Sequence, residues 1–356
     1  MNTLLESYKD YHINLHHIIP LDFDSIQEVS DVHSWPQSND FLTLDLEPND
    51  KSAASIIPII DFSDPNVSKL IGQACETWGS FQLINHNVPL NLIESAESEA
   101  RKLFSLPTSE KRKTLRSPSE ATGYGLARMS QFFSRLLWQE GFTIMGSPVD
   151  HAKKLWPDDY QRFCDVIEDF QDKLKALSEQ LMLIILDYLG IPKEEMKWVG
   201  SNSGPECATS ALQMNSYPPC PDPTLTIGLA PHTDTYFLTI LHQTSNPTRG
   251  LEIHRDGLGW VSVNPVHGAL VVNAGDLLHI ASNGRFPSVL HRAVVNKTNH
   301  RLSLAYFYGP PMNYQLLPSL AKLDDDDPSV YPSLKVKDYV TMKEKHFRET
   351  LSMLKL

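Results

Sequence analysis

Cysteine is scarce in this sequence. There are four (Cys75, Cys164, Cys207 and Cys220), far apart and with no C-x-x-C spacing. That excludes a disulfide-stapled scaffold and a cysteine zinc site, and it points to reduced thiols in a reducing compartment. Positive charge is also in the minority, 31 Lys and Arg against 43 Asp and Glu for a net charge of −12. A nucleic-acid surface needs clustered cations, so no such partner is expected. Long apolar runs are missing. The longest, Leu181 to Leu186, is stopped by Asp187, whereas a membrane-spanning helix needs about 18–20 residues. Glu6, Lys9 and Asp10 stand where a signal peptide carries its apolar segment. Neither membrane insertion nor secretion is expected, and the cytoplasm is the default location. Internal repeats and low-complexity domains are absent as well.

What the chain does have is 356 residues at 41% apolar and 21% charged, the profile of a globular protein with enough length to bury a sizeable core. Residues 1–55 form a poorly patterned N-terminal arm, with 45–51 (DLEPNDK) as a polar linker. A β-rich run at 56–62 follows, in which Pro58 predicts an edge position or a strand start. Helical spacing covers 67–78 and 92–104, with a strand at 81–84 between them. Residues 117–150 read as irregular and rich in Gly, Ser and aromatics. Apolar positions at spacings of one, three or four predict a long amphipathic helix over 159–190, with Gly190 just past its end.

From residue 208 the character changes. Short apolar runs alternate with Gly, Pro, Asn and Asp turns at 209–217, 225–231, 236–243, 250–254, 259–264, 268–272, 277–280, 288–295 and 301–308, a rhythm that predicts a β sandwich or barrel. Four consecutive aspartates at 324–327 read as a solvated loop, and 335–352 as a closing helix. The chain divides into an arm (1–55), a helical N-terminal region (56–207), a β domain (208–312) and a C-terminal extension with a helix (313–356).

Among fourteen histidines, His232 stands out in the triplet His232-Thr233-Asp234. On a strand, residues i and i+2 face the same side, so imidazole and carboxylate can converge on one ion. His291, in the strand-like run 288–295, is the best third ligand. Two His and one carboxylate with open positions suit non-haem Fe(II), and zinc accepts the same ligands. Ten residues on, Arg301 and Ser303 repeat the i, i+2 pattern. A hairpin pairing 293 with 303 and 291 with 305 would put His291, Arg301 and Ser303 on one face. A buried guanidinium there calls for an anion, and with a neighbouring hydroxyl it forms a two-point grip for a carboxylate. Asn215 and Tyr217 make a third such pair, with the phenol able to reach the same pocket. A zinc hydrolase would have no use for Arg301 and Ser303 on that face, and a binding protein without catalysis would have no use for the triad.

These residues resemble the plant 2-oxoglutarate- and Fe(II)-dependent dioxygenases. The resemblance covers most of the chain: 57–62 (IPIIDF), 75–86 (CETWGSFQLINH), 215–221 (NSYPPCP), His232-Thr233-Asp234, 272–276 (VNAGD), 282–284 (SNG), His291-Arg292 and 301–303 (RLS), in the family's order. It implies a mainly β fold with a helical N-terminal region around a double-stranded β-helix, or jelly-roll, core. It implies that His232, Asp234 and His291 hold iron, and that Arg301 and Ser303 hold the distal carboxylate of 2-oxoglutarate. Tyr217 lies near that co-substrate and Asn215 belongs to the same motif. The implied cofactors are Fe(II), 2-oxoglutarate as co-substrate and ascorbate as reductant, with dioxygen consumed and a monomeric protein expected.

Within the family, 136–148 (LLWQEGFTIMGSP), 32–36 (VHSWP) and 123–125 (GYG) are similar to gibberellin 3-beta-dioxygenases. That similarity implies hydroxylation of carbon 3, on the β face, of gibberellin precursors. Oxidases of other gibberellin carbons and of flavonoid-type substrates share the core. Residues 123–148 are expected to wall the substrate, with Tyr124 and Trp138 as contacts and Arg128 as a candidate for the substrate carboxylate. The other place for that wall is the strand face around Phe237 and Tyr306.

Overall fold

The computed structural model describes residues 13–36, 57–201, 207–244, 250–318 and 328–356. The linker at 45–51 and the aspartates at 324–327 lie outside these residues. Among the described residues twelve strands form two main sheets, and Gln315–Leu316 pairs with Leu334–Lys335 as a small third one. In chain order the strands are β1 (Ile59–Asp61), β2 (Ser80–Ile84), β3 (Gly123–Gly125), β4 (Glu140–Ile144), β5 (Thr209–Tyr217), β6 (Leu229–His232), β7 (Leu238–Gln243), β8 (Leu251–Arg255), β9 (Gly259–Ser262), β10 (Leu270–Ala274), β11 (His291–Ala293) and β12 (Arg301–Gly309). The larger sheet has the order β1-β2-β10-β7-β12-β5-β4-β3 and the smaller one β6-β11-β8-β9. Only β1 and β2 pair parallel; the other pairs in both sheets are antiparallel. Two facing antiparallel sheets with crossing connections make the jelly roll that the strand rhythm and the resemblance predict.

The helices cover one face of the larger sheet. They are α1 (Val67–Thr77), α2 (Leu90–Phe104), α3 (Val149–Leu155) and α4 (Gln161–Leu189), with α5 (Asp276–Ala281) and α6 (Val336–His346) later in the chain. Phe163, Ile167, Phe170, Leu174, Leu177, Leu181 and Ile185 form the buried stripe of α4, which stops at a left-handed Gly190. Each such side chain contributes about 1.5–3 kcal/mol when fully buried, so this face, more than helix propensity, holds α4 on the sheet. Alternation along β12 divides the molecule. Leu302, Leu304, Tyr306 and Tyr308 join the helical core, while Ala305 joins Leu241, Leu251, Ile253, Val263, Val271 and Val289 between the two sheets.

Several expectations are corrected. Residues 117–150 are not wholly irregular: β3 and β4 extend the larger sheet, with Glu140–Ile144 paired to Leu212–Ser216 of β5. The run 277–280 is helical, as part of α5, because a short apolar run carries no period that separates strand from helix. The hairpin of 291 with 305 does not form. β11 pairs with β6 and β8, and β12 pairs with β5 and β7, so His291 and Arg301 belong to different sheets. The N-terminal arm is packed where it is described: Trp35 and Ile18 are buried, with backbone bonds from Trp35 to Leu225 and from Leu126 to Ile18. The closing helix is broken, running as α6 and then as a separate Thr350–Leu354 turn of helix, because Phe347 takes a left-handed φ of 48° between them. Among the described residues no helix is long and apolar enough to cross a membrane.

Candidate metal centre and ligand cavity

His232 ends β6 and lies directly across from His291 on β11, with ring centroids 4.2 Å apart. Asp234 is not on the strand, as the i, i+2 argument assumed, but in the turn just after it. The Nδ1 of His232 is 2.8 Å from the carbonyl of Ala230, and that of His291 is 3.1 Å from the carbonyl of Val289. A carbonyl only accepts, so each Nδ1 carries the proton and each Nε2 keeps a free lone pair. Both Nε2 atoms stand 3.8 Å from Asp234 Oδ1, and the three donor atoms lie within 4.8 Å of one another. Burial, reinforced by the neighbouring imidazole, brings the pKa of His232 down to about 3, so that ring is a neutral ligand. Burial pushes the Asp234 carboxyl up, the facing His291 and His232 and the hydrogen bonds from Thr239 and Asn273 lower it, and the net direction is below the ordinary range. Asn273 donates to its Oδ2 at 3.5 Å. Two imidazoles and one carboxylate with converging donor atoms fit a divalent ion.

Facing this cluster, β12 and β5 pair Arg301 with Tyr217 and Ser303 with Asn215, so the four residues taken from two separate sequence patterns form one block. Arg301 is 7% exposed. It donates to Gln243 Oε1 at 3.1 Å and lies over the Tyr217 ring at 5.1 Å. No carboxylate is paired with it among the described residues. Burial pushes its pKa below the usual guanidinium value, partly offset by Tyr217. Gly250 leaves the space that Arg301 occupies: a Cβ there would fall 2.3 Å from Nε. Asn215 is fixed by Gln139 and Gln213, which donate to its Oδ1 at 3.0 and 3.1 Å, and it faces Ser303 Oγ at 3.5 Å.

A cavity of about 260 Å³ joins the His232–Asp234–His291 cluster to this block and is lined also by Met129, Phe132, Met145 and Phe347. Tyr124 and Trp138 do not line it. Tyr124 is fully buried, with its hydroxyl donating to Glu140 Oε2 at 2.6 Å. Trp138 donates to the Pro218 carbonyl and packs on Phe23, Cys220 and Val295. Each indole or phenol polar atom is satisfied inside the protein, which is the ordinary fate of a buried Tyr or Trp. Arg128 does line the cavity, 3.3 Å from Glu344 Oε2. Phe237 and Tyr306 face the helical core, and their neighbours Tyr236, Ala305 and Phe307 face the cavity instead.

The expected segment 123–148 contributes Met129, Phe132 and Met145 to the lining, whereas Gln213, Gln243, Lys343 and Phe347 were not among the expected residues. Gln213 was within reach, since it continues the alternation of Asn215 and Tyr217. Lys343 and Phe347 come from the C-terminal segment, where no local pattern marks an approach to the β domain.

Residues 208–310 match the model of the 2OG-Fe(II) oxygenase superfamily, and residues 57–159 match that described as non-haem dioxygenase in morphine synthesis, N-terminal. Gibberellin 3-beta-dioxygenase 1 of Pisum sativum is 48% identical over all of this chain and 94% of that protein. Gibberellin 3-beta-dioxygenase 1 of Arabidopsis thaliana is 42% identical over 99% of this chain and 98% of its own length. Among solved structures, the crystal structure of JOX2 in complex with 2OG, Fe and JA superimposes with a TM-score of 0.76 at 28% identity, covering 93% of this chain and 95% of that one.

Proposed function

The chain belongs to the 2OG-Fe(II) oxygenase superfamily and groups with the gibberellin 3-beta-dioxygenases, and on that premise we propose that it hydroxylates carbon 3 of gibberellin precursors on the β face. The observation that carries the reading is the pairing, across one cavity, of a His232–Asp234–His291 cluster with a buried Arg301 that has no carboxylate partner among the described residues. His232, Asp234 and His291 would hold Fe(II) through two Nε2 atoms and one carboxylate. When bound, Fe(II) supplies the redox chemistry that couples decarboxylation of 2-oxoglutarate by dioxygen, giving succinate and carbon dioxide, to insertion of one oxygen atom into a C–H bond. The residues of this chain determine where that chemistry acts. Arg301 and Ser303 grip the distal carboxylate of 2-oxoglutarate, with Tyr217 packed against the guanidinium and Asn215 fixing the serine. The apolar wall of Met129, Phe132, Met145 and Phe347 accepts a multi-ring skeleton and excludes water, and Arg128 on the cavity lining is the candidate for the substrate carboxylate. Ascorbate keeps the metal reduced between turnovers, and the protein acts in the cytoplasm as a monomer.

The test is aerobic incubation with Fe(II), 2-oxoglutarate, ascorbate and a panel of gibberellins, reading product structure and succinate together. The expected result is one 3β-hydroxylated product per succinate, lost in His232→Ala, Asp234→Ala and His291→Ala. Oxidation at another carbon would overturn the regiochemistry, and no gibberellin-dependent succinate would overturn the substrate.

A further inference from the structure

We propose that helix α6 is a positioning element for the metal-ligand turn, acting through Lys343 and Tyr339 on the segment that carries His232 and Asp234. The inference rests on the reading of His232, Asp234 and His291 as metal ligands.

Asp234 lies beyond the end of β6, so ladder hydrogen bonds do not fix it. Backbone bonds from the start of α5 do so instead. The Asp276 N–H donates to the Asp234 carbonyl at 2.8 Å, the Leu277 N–H to Thr235 at 3.1 Å and the Gly275 N–H to Phe237 at 3.0 Å. Asp276 thus pins the backbone of the carboxylate ligand, whose side chain Asn273 also meets, and its own side chain is fully buried. Its Oδ2 accepts from Tyr339 Oη at 2.6 Å and from Lys343 Nζ. Lys343 Nζ also donates to Thr233 Oγ1 at 2.7 Å, in the residue between the two ligands. One ammonium group therefore ties together the middle of the His232-Thr233-Asp234 triplet and the residue that holds its end. Tyr339 and Lys343 are four apart on α6 and so share one face of it.

Neither contact touches the ion. Both restrict where the Asp234 carboxylate can go, and contacts of this outer kind typically change metal affinity by about 10–100-fold. Lys343 also lines the cavity and so can touch a substrate, whereas Tyr339 is buried and does not line it. The two side chains therefore separate positioning from substrate contact.

The experiment is anaerobic titration of the full chain with Co(II), a divalent probe that does not turn over, followed by its visible ligand-field bands and by calorimetry. The unfolding temperature of the metal-free protein is measured in parallel. Tyr339→Phe is expected to weaken Co(II) binding about tenfold and to shift the bands, with the metal-free protein still folded. Lys343→Met should weaken it further, and Lys343→Arg should restore part of the loss. Wild-type Co(II) affinity and spectrum in folded Tyr339→Phe and Lys343→Met, alongside lost binding in His232→Ala, would overturn the proposal and leave α6 as packing. If His232→Ala binds Co(II) as wild type does, the assignment of the metal ligands fails, and the role of α6 falls with it.

Discussion

Arg292 on the smaller sheet and Arg301 on the larger one are both buried and both border the cavity, yet the protein surrounds them in opposite ways. Arg292 is 1% exposed, with Nε and Nη2 both on Glu252 Oε2 at 2.8 and 2.7 Å and its guanidinium 4.1 Å over the Trp260 ring. Arg301 has a neutral amide, a phenol ring and a hydroxyl nearby, but no anion among the described residues. Burying a charge costs several kcal/mol unless a counter-charge is supplied. Arg292 has its counter-charge in the fold, whereas Arg301 has none among the described residues, as the proposed grip on an anionic co-substrate requires. A buried cation that is solvated by neutral dipoles but left unneutralised is thus a stronger sign of an anionic ligand than its sequence neighbours.

The largest effect that would break or sharpen this contrast is on stability. Arg292→Met strands Glu252 in the interior, and loss of one partner of a buried pair costs about 3–5 kcal/mol. Urea unfolding of the single variant and of Arg292→Met/Glu252→Leu should show most of the loss recovered in the double variant. Equal loss in both would mean that packing on Trp260, not charge, is what Arg292 provides. Arg301→Ala should do the reverse. Its thermal midpoint stays level or rises, while affinity for 2-oxoglutarate drops by about 1.5–3 kcal/mol, or one to two powers of ten. Titration with 2-oxoglutarate decides this, and unchanged affinity would leave Arg301 a structural cation like Arg292.

The smallest effect concerns His300, the residue before Arg301. Burial, with Arg101 and Lys111 adding to it, brings its pKa to about 4, and it faces Ser216 Oγ at 2.9 Å. The folded value lies below the unfolded one of about 6.5. The unfolded chain therefore binds the proton more readily between these limits. The contribution of His300 to stability is complete above pH 6.5 and is lost as pH falls toward 4. His300→Gln should make the pH dependence of unfolding shallower in that window. An unchanged slope would assign the dependence to other groups, such as His33, whose pKa burial likewise brings to about 4.

The legible part of the site was the part written in strand alternation. Asn215 with Tyr217, and Arg301 with Ser303, are each fixed to one face by the two-residue period, and the structure aligns the pairs rung by rung. Which strands are neighbours was not legible. A short loop between His291 and Arg301 suggests a hairpin, but the chain crosses from one sheet to the other there, and convergence across the gap replaces the expected shared face. Tyr124 was misread because its partner Glu140 lies on the next strand, and no local pattern announces that a phenol will be satisfied internally. The 277–280 run was misread for lack of length, and the C-terminal contacts of Lys343 for lack of any local signal.

The division of the cavity between two sheets reaches further than the residues that line it. The imidazoles belong to the smaller sheet and the guanidinium to the larger. The gap between them is maintained by Ile253, Val263, Val271 and Val289, none of which borders the cavity. This apolar layer works as a shim: on the proposed assignment, its thickness sets the span over which one small molecule would reach from metal to arginine. On that assignment, selection for the length of a co-substrate would extend to the volume of aliphatic side chains that never meet it.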